Sequence, residues 1–180
     1  TLTFCYKDVT SDDGDYKNGL AGVLYPDGEP EGERMGKIAM WAWAAMRVMD
    51  YAMTLPELDH GRISVVGHSR LGKTALLAGA MDERFYCAFS NDSGCGGAAI
   101  ARENTGERVA DICKLFPYWF CKNYKQYAQK EMEMPFDQHF LLALIAPRRL
   151  YVASAAMDLW NDPPSEFLCC KAADPAWQAL

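Results

Sequence analysis

Residues 67–74, "GHSRLGKT", gather more chemistry-bearing side chains than any other short stretch of the chain, and they fit two patterns at once. Gly67, Gly72, Lys73 and Thr74 satisfy the phosphate-binding loop G-x-x-x-x-G-K-[ST], in which backbone N–H groups, a Lys and a hydroxyl hold phosphates and magnesium. Gly67-His68-Ser69-Arg70 also reads as the start of a nucleophile elbow, a strained turn that lifts a Ser above a sheet at the mouth of a helix. The first N–H groups of that helix would face a developing oxyanion. Asp92, at the end of "FYCAFSND", could act as the magnesium-binding carboxylate of the first pattern. Against the phosphate loop, His68, Ser69, Arg70 and Leu71 are bulky, and no interior glycine eases the backbone around a phosphate. The elbow departs from G-x-S-x-G in one respect, since Leu71 displaces the second glycine to Gly72. A plain strand-to-helix turn capped by Ser69 remains the alternative on pattern alone.

The flanking elements must hold such a turn in place. Ile63 to Val66 is a short, β-branched, apolar run after the turn signal "DHG" and predicts a buried strand entering the motif. Residues 73–81, "KTALLAGAM", are strong helix formers with small residues suited to lying close to a sheet. Phe85 to Ser90 reads as the next strand, followed by the Gly-rich "NDSGCGG". A helical stretch between Val109 and Lys130 carries Ile112, Leu115, Phe116, Trp119, Phe120 and Tyr124 as core. A helix from Gln138 to Ile145 stops at Pro147. Leu150 to Ala155 reads as a third strand, ending in "AMDLWNDPP", and Ser165 to Ala173 as a last helix. Upstream, Leu2 to Tyr6 alternates like a strand, "TSDDGDYKNG" is an acidic loop, and about Met35 to Leu55 is a largely buried helix ended by Pro56. The alternation predicts one α/β domain over residues 1–180, with a mainly parallel sheet, helices on both faces, and functional residues beyond the carboxyl ends of strands.

Composition narrows the function classes. A net charge of -6 without any Lys/Arg cluster argues against a nucleic-acid binder. Seven cysteines, with no C-x-x-C spacing, argue against a zinc cluster and for buried thiols. No apolar run approaches the roughly 18 residues of a membrane span, and no charged-then-apolar leader opens the chain. The first residues read as already inside a domain.

"GHSRLGK" resembles the variant elbow G-[CH]-S-R-x-G-[KR] of the glucuronoyl esterases, carbohydrate esterase family 15. "SNDSGCGGAAIAR" with "GE" soon after, "FDQHFLLALIAPR" and "SAAMDLWNDPPSEFL" resemble segments of the bacterial members in the same order, over about residues 37–177. The resemblance implies an α/β-hydrolase fold and cofactor-free hydrolysis of the ester between 4-O-methylglucuronic acid of glucuronoxylan and lignin alcohols, in a secreted or periplasmic protein. It implies Ser69 as nucleophile and Arg70 as oxyanion donor through its backbone N–H and guanidinium. Lys73, Glu107 and Trp160 become sugar-pocket residues. For the triad acid, Asp158 after the third strand is preferred to Asp92 after the second, where fungal members carry a Glu.

The base is missing from this scheme. In this fold it follows the acid in the chain, whereas His60, His68 and His139 all precede Asp158. His139 therefore reads as structural, and the chain as an incomplete hydrolase domain, inactive if it is the whole polypeptide. Two alternatives stay open: an acetylxylan or other carbohydrate esterase using the same Ser, and a non-catalytic glucuronoxylan-binding relic.

Overall fold

The computed structural model describes residues 1–179. In chain order its elements are α1 (Tyr6–Val9), α2 (Gly19–Leu24), α3 (Lys37–Ala52), β1 (Ser64–His68), α4 (Arg70–Met81), β2 (Cys87–Asn91), α5 (Val109–Leu115), α6 (Gln138–Ala143), β3 (Arg149–Ala153), α7 (Pro163–Ala173) and α8 (Pro175–Gln178). The three strands form one parallel sheet in the order β1-β2-β3. Each parallel connection carries a helix, as it must.

Pleating gives the sheet two unlike faces. Val65, Ala88, Leu150 and Val152 point toward a core built from Leu76 of α4, Leu142 of α6, Ile145, and Cys169 and Ala173 of α7. Helix α3 packs behind α4 through Ala42, Ala45, Met49 and Ala78. A further core, around Trp41, Ile112 and Trp119, lies on the side of the acidic loop. On the opposite face Val66, Phe89 and Tyr151 share one register row and are exposed. The expected layer of helices is thus present on one face among the described residues.

Two local expectations change, and one element is unannounced. Leu2 to Tyr6 is not a strand, because Tyr6 begins α1 and stacks edge-on against Trp41 with ring centroids 4.8 Å apart. The helical stretch from Val109 breaks after Leu115. Phe116 precedes Pro117, whose ring disfavours helical geometry at the residue before it. The chain resumes as a 3-10 turn over Lys122–Tyr127. Short α2 begins at a glycine, after Asn18, and carries no charge pattern that would announce it.

Candidate active site

Ser69 sits between β1 and α4 with φ 55° and ψ -122°, a conformation that costs an L-residue about 1–3 kcal/mol. The surrounding backbone imposes it. The Ser69 N–H donates to the Asn91 carbonyl at 2.8 Å, so the turn is tied to β2, and its own carbonyl accepts from Gly72 and Lys73 at 2.8 and 3.2 Å. The turn is so tight that a Cβ on Gly67 would lie 1.9 Å from the Leu71 carbonyl oxygen. A Cβ on Gly72 would press on Ser93 Cβ at 3.0 Å and the Asn91 oxygen at 3.2 Å. That explains the displaced glycine: the residue facing β2 and its following loop is Gly72, while Leu71 packs on the core around Trp41. The Ser69 side chain makes no capping hydrogen bond among the described residues, which removes the capping alternative. The Arg70 N–H opens α4 and has no acceptor within the helix.

Arg70 projects toward the acidic loop. Its guanidinium lies 4.9 Å over Trp119 and 5.5 Å from the centroid of Phe116, two rings stacked in parallel at 3.8 Å. Its Nη1 pairs with the Asp12 carboxylate.

One turn on, Lys73 is not solvated but buried, 3 % exposed. Its Nζ donates to the Ser93 carbonyl and lies 4.0 Å from Glu107 and 5.7 Å over Trp119. Burial lowers its pKa against the pull of Glu107, while burial raises that of Glu107 against the pull of Lys73. A carboxylate beside this amine is the wrong neighbour for phosphate, so the nucleotide reading fails here.

Glu107 is joined to Trp160. The Glu107 N–H donates to the Trp160 carbonyl at 2.8 Å. Asp162, in the left-handed region at φ 53°, locks the two segments together. Its carboxylate accepts from Thr105 N and Oγ1 at 2.7 and 3.0 Å, Gly106 N at 3.3 Å, and Ser165 N and Oγ at 3.2 and 2.7 Å. Trp160 itself is 51 % exposed, which excludes a core role.

The two candidate acids differ. Asp92 is buried, accepting from Ala155 N at 2.6 Å and Asn91 Nδ2 at 3.0 Å. Asp158 lies in the loop after β3, accepting from Asn161 Nδ2 at 2.6 Å and its N–H at 3.3 Å. Neither contacts a buried histidine. His68 is exposed beside Asn91, its Nδ1 3.9 Å from Asp92. His139 on α6 rests on Phe140, and its buried Nδ1 has no partner among the described residues.

Sequence reasoning missed three carboxylates. Asp162 was detectable as the N-cap before "PPS", since Asp ahead of Pro at the first helical positions is a start signal. Glu166, fully buried, accepts from Ser93 N at 2.9 Å, Gly94 N at 2.8 Å, Ser93 Oγ at 3.2 Å and the Ser154 hydroxyl, and so fixes the loop that supplies the Lys73 acceptor. Nothing local in the sequence marks it. Asp12 lay within a stretch read only as loop.

A family model described as "Glucuronyl esterase, fungi" matches residues 1–180. The chain belongs to the glucuronyl esterase family. It is 45 % identical over 175 residues to a carbohydrate esterase of an unknown prokaryotic organism, covering 96 % of this chain and 40 % of that protein. It is 37 % identical over 154 residues to a 4-O-methyl-glucuronoyl methylesterase of Hypocrea jecorina, covering 81 % and 33 %. The solved structure of a glucuronoyl esterase from Solibacter usitatus superposes with a TM-score of 0.89 at 46 % identity, covering 96 % of this chain and 45 % of that one. The chain thus spans less than half the length of these glucuronyl esterase relatives, and its parallel sheet with helices is the corresponding part of an α/β-hydrolase domain. No helix among the described residues is long and apolar enough to cross a membrane.

Proposed function

We propose that this chain carries the nucleophile and sugar-binding part of a secreted serine esterase that cleaves the ester between 4-O-methylglucuronic acid of glucuronoxylan and lignin alcohols. The observation that carries this reading is Ser69, held at positive φ with its hydroxyl not spent on capping the helix it opens. Its Oγ attacks the ester carbonyl and gives its proton to a histidine base, which returns a proton to the departing alcohol. Water then hydrolyses the glucuronoyl-enzyme by the same base. The Arg70 N–H and guanidinium stabilise the oxyanion. Lys73, Glu107 and Trp160 hold the sugar, and Asp158 orients the base, with Asp92 as the alternative acid. We assign the base to a histidine other than His60, His68 and His139; that none of the three is hydrogen-bonded to Ser69, Asp92 or Asp158 among the described residues supports this reading.

The deciding measurement is hydrolysis of benzyl glucuronate by this chain, by a form extended past Leu180, and by Ser69→Ala in each. Turnover by the extended form alone, abolished by Ser69→Ala, is the expected outcome. Turnover by the short chain would make His139 the leading base and remove the need for one elsewhere. Glucuronoxylan binding without turnover by either form would favour a non-catalytic relic. Release of acetate but not glucuronate would favour an acetylxylan esterase.

A further inference from the structure

The acidic loop "TSDDGDYKNG" has no part in the chemistry described so far, yet it is among the more densely bonded segments of the molecule. It folds around a single buried cation. Lys37, fully buried at the start of α3, donates to the Ser11 and Asp15 carbonyls at 2.7 Å each and to the Ser11 hydroxyl at 3.2 Å, with Asp13 at 3.5 Å. Tyr16 and Tyr118 flank the same amine at 5.0 and 5.5 Å. Asn18 closes the loop on itself through Ser11 N at 2.9 Å and Ser11 Oγ at 2.8 Å.

This scaffold leaves one side chain turned inward. The Asp12 side chain is only 6 % exposed. Its Oδ1 accepts from Trp119 Nε1 at 2.9 Å, and its Oδ2 accepts from the Tyr6 hydroxyl at 3.1 Å and from Arg70 Nη1. The Tyr118 hydroxyl donates to the Asp12 carbonyl at 2.9 Å. Arg70 is therefore held on two sides, by the Asp12 carboxylate at Nη1 and by the face of Trp119 against its guanidinium. The same Trp119 donates its N–H to that carboxylate, so platform and anchor are fixed together. A guanidinium constrained in this way cannot leave Trp119 without breaking a charge-assisted bond to a carboxylate that is itself largely buried.

We infer that Asp12 is a positioning residue, and that the loop wrapped on Lys37 exists to present it, aiming the Arg70 guanidinium at the acyl oxygen of a substrate at Ser69. The inference rests on the esterase reading of Arg70. Asp12 itself touches neither substrate nor reacting atoms.

The test is a double-mutant cycle on this chain, using equilibrium binding of glucuronate so that no base is required. Wild type, Asp12→Asn, Arg70→Ala and the double variant are titrated by calorimetry. In parallel, the Arg70 guanidinium N–H resonances are followed in wild type and Asp12→Asn. Asp12→Asn is expected to weaken glucuronate about 5- to 10-fold when Arg70 is present and to add nothing in the Arg70→Ala background, because the two residues act as one unit. Rotation of the guanidinium about Nε–Cζ is expected to be slow in wild type and fast in Asp12→Asn, while Asp12→Glu restores part of the affinity. An equal loss in both backgrounds would mean that Asp12 serves only the fold and would overturn the proposal. Unchanged rotation of Arg70 in Asp12→Asn would overturn it as well. Failure of wild type to bind glucuronate, with rotation still freed in Asp12→Asn, would instead remove the esterase reading of Arg70 and leave the anchoring intact.

Discussion

The two loops that leave the carboxyl ends of β2 and β3 both supply candidate site residues, but they are built on opposite principles. The loop after β2 carries Asp92, Ser93, Asn104 and Glu107, all buried. Its polar groups are engaged: Glu166 holds Ser93 and Gly94, and Lys73 faces Glu107. The loop after β3 carries Met157, Leu159 and Trp160 at 87, 71 and 51 % exposure. Its large apolar side chains have little to pack on, although Asp158 and Asn161 pin its far end. Groups that must present charge to a substrate are organised before it arrives, which spares reorganisation during reaction. Aromatic and apolar groups can wait at the surface, because a sugar face or another segment covers them on contact. The contrast also suggests where mutations should be felt as stability and where as binding.

Lys73→Met should give the largest effect. Removing the amine leaves Glu107 buried and unpaired, and loss of one partner of such a pair costs about 3–5 kcal/mol. Denaturant melts would read it, and a loss below about 1 kcal/mol would erase the distinction between the loops.

Asp162→Asn, which weakens the clasp between the two loops, should cost about 2–3 kcal/mol near neutral pH. Burial pushes the Asp162 carboxyl up, but hydrogen bonds from Ser165 and Thr105 outweigh it and leave the pKa below the ordinary value. A depressed carboxyl contributes stability above its unfolded pKa, and that contribution is lost as pH falls through the folded value. The gap between wild type and variant should therefore close in acid, below about pH 4. A gap independent of pH would assign the loss to shape rather than charge.

Ser69→Gly should remove the strain at the elbow and raise stability by about 1 kcal/mol, while abolishing any turnover. Unchanged stability would show that the turn is comfortable for Ser.

Trp160→Ala marks the small end of the stability scale, within about 0.5 kcal/mol as for an exposed side chain, yet it should weaken glucuronate binding. A large loss of stability would show that the loop after β3 is as built-in as its neighbour.

Legibility in the sequence followed locality. The elbow could be read because strand, turn and helix are contiguous, and the displaced glycine still sits where α4 meets β2. The three strands could be read from short apolar runs. Their pairing into one parallel sheet followed from alternation with helices. The N-terminal strand does not form because residues 2–5 pair with no strand among the described residues, and Tyr6 already opens α1, docked on Trp41. Lys73 was legible as a type and a spacing, but not as a buried ion, because its partner Glu107 lies far along the chain. Asp12 and Glu166 were hidden for the same reason. Each is one acidic residue among the 24 of the chain, and only tertiary folding brings it to Arg70 or Ser93.

The hydrogen-bond ladder of the sheet does not stop where the strands do. Ser69 N–H reaches the Asn91 carbonyl at 2.8 Å, and Asp92 N–H reaches the Ala153 carbonyl at 2.8 Å, so each is one more rung beyond β1 and β2. Their amide protons are expected to exchange with those of the sheet rather than with the loops in which they are drawn. In deuterium they should outlast the amides of Met157 and Leu159 and exchange only when the sheet itself opens.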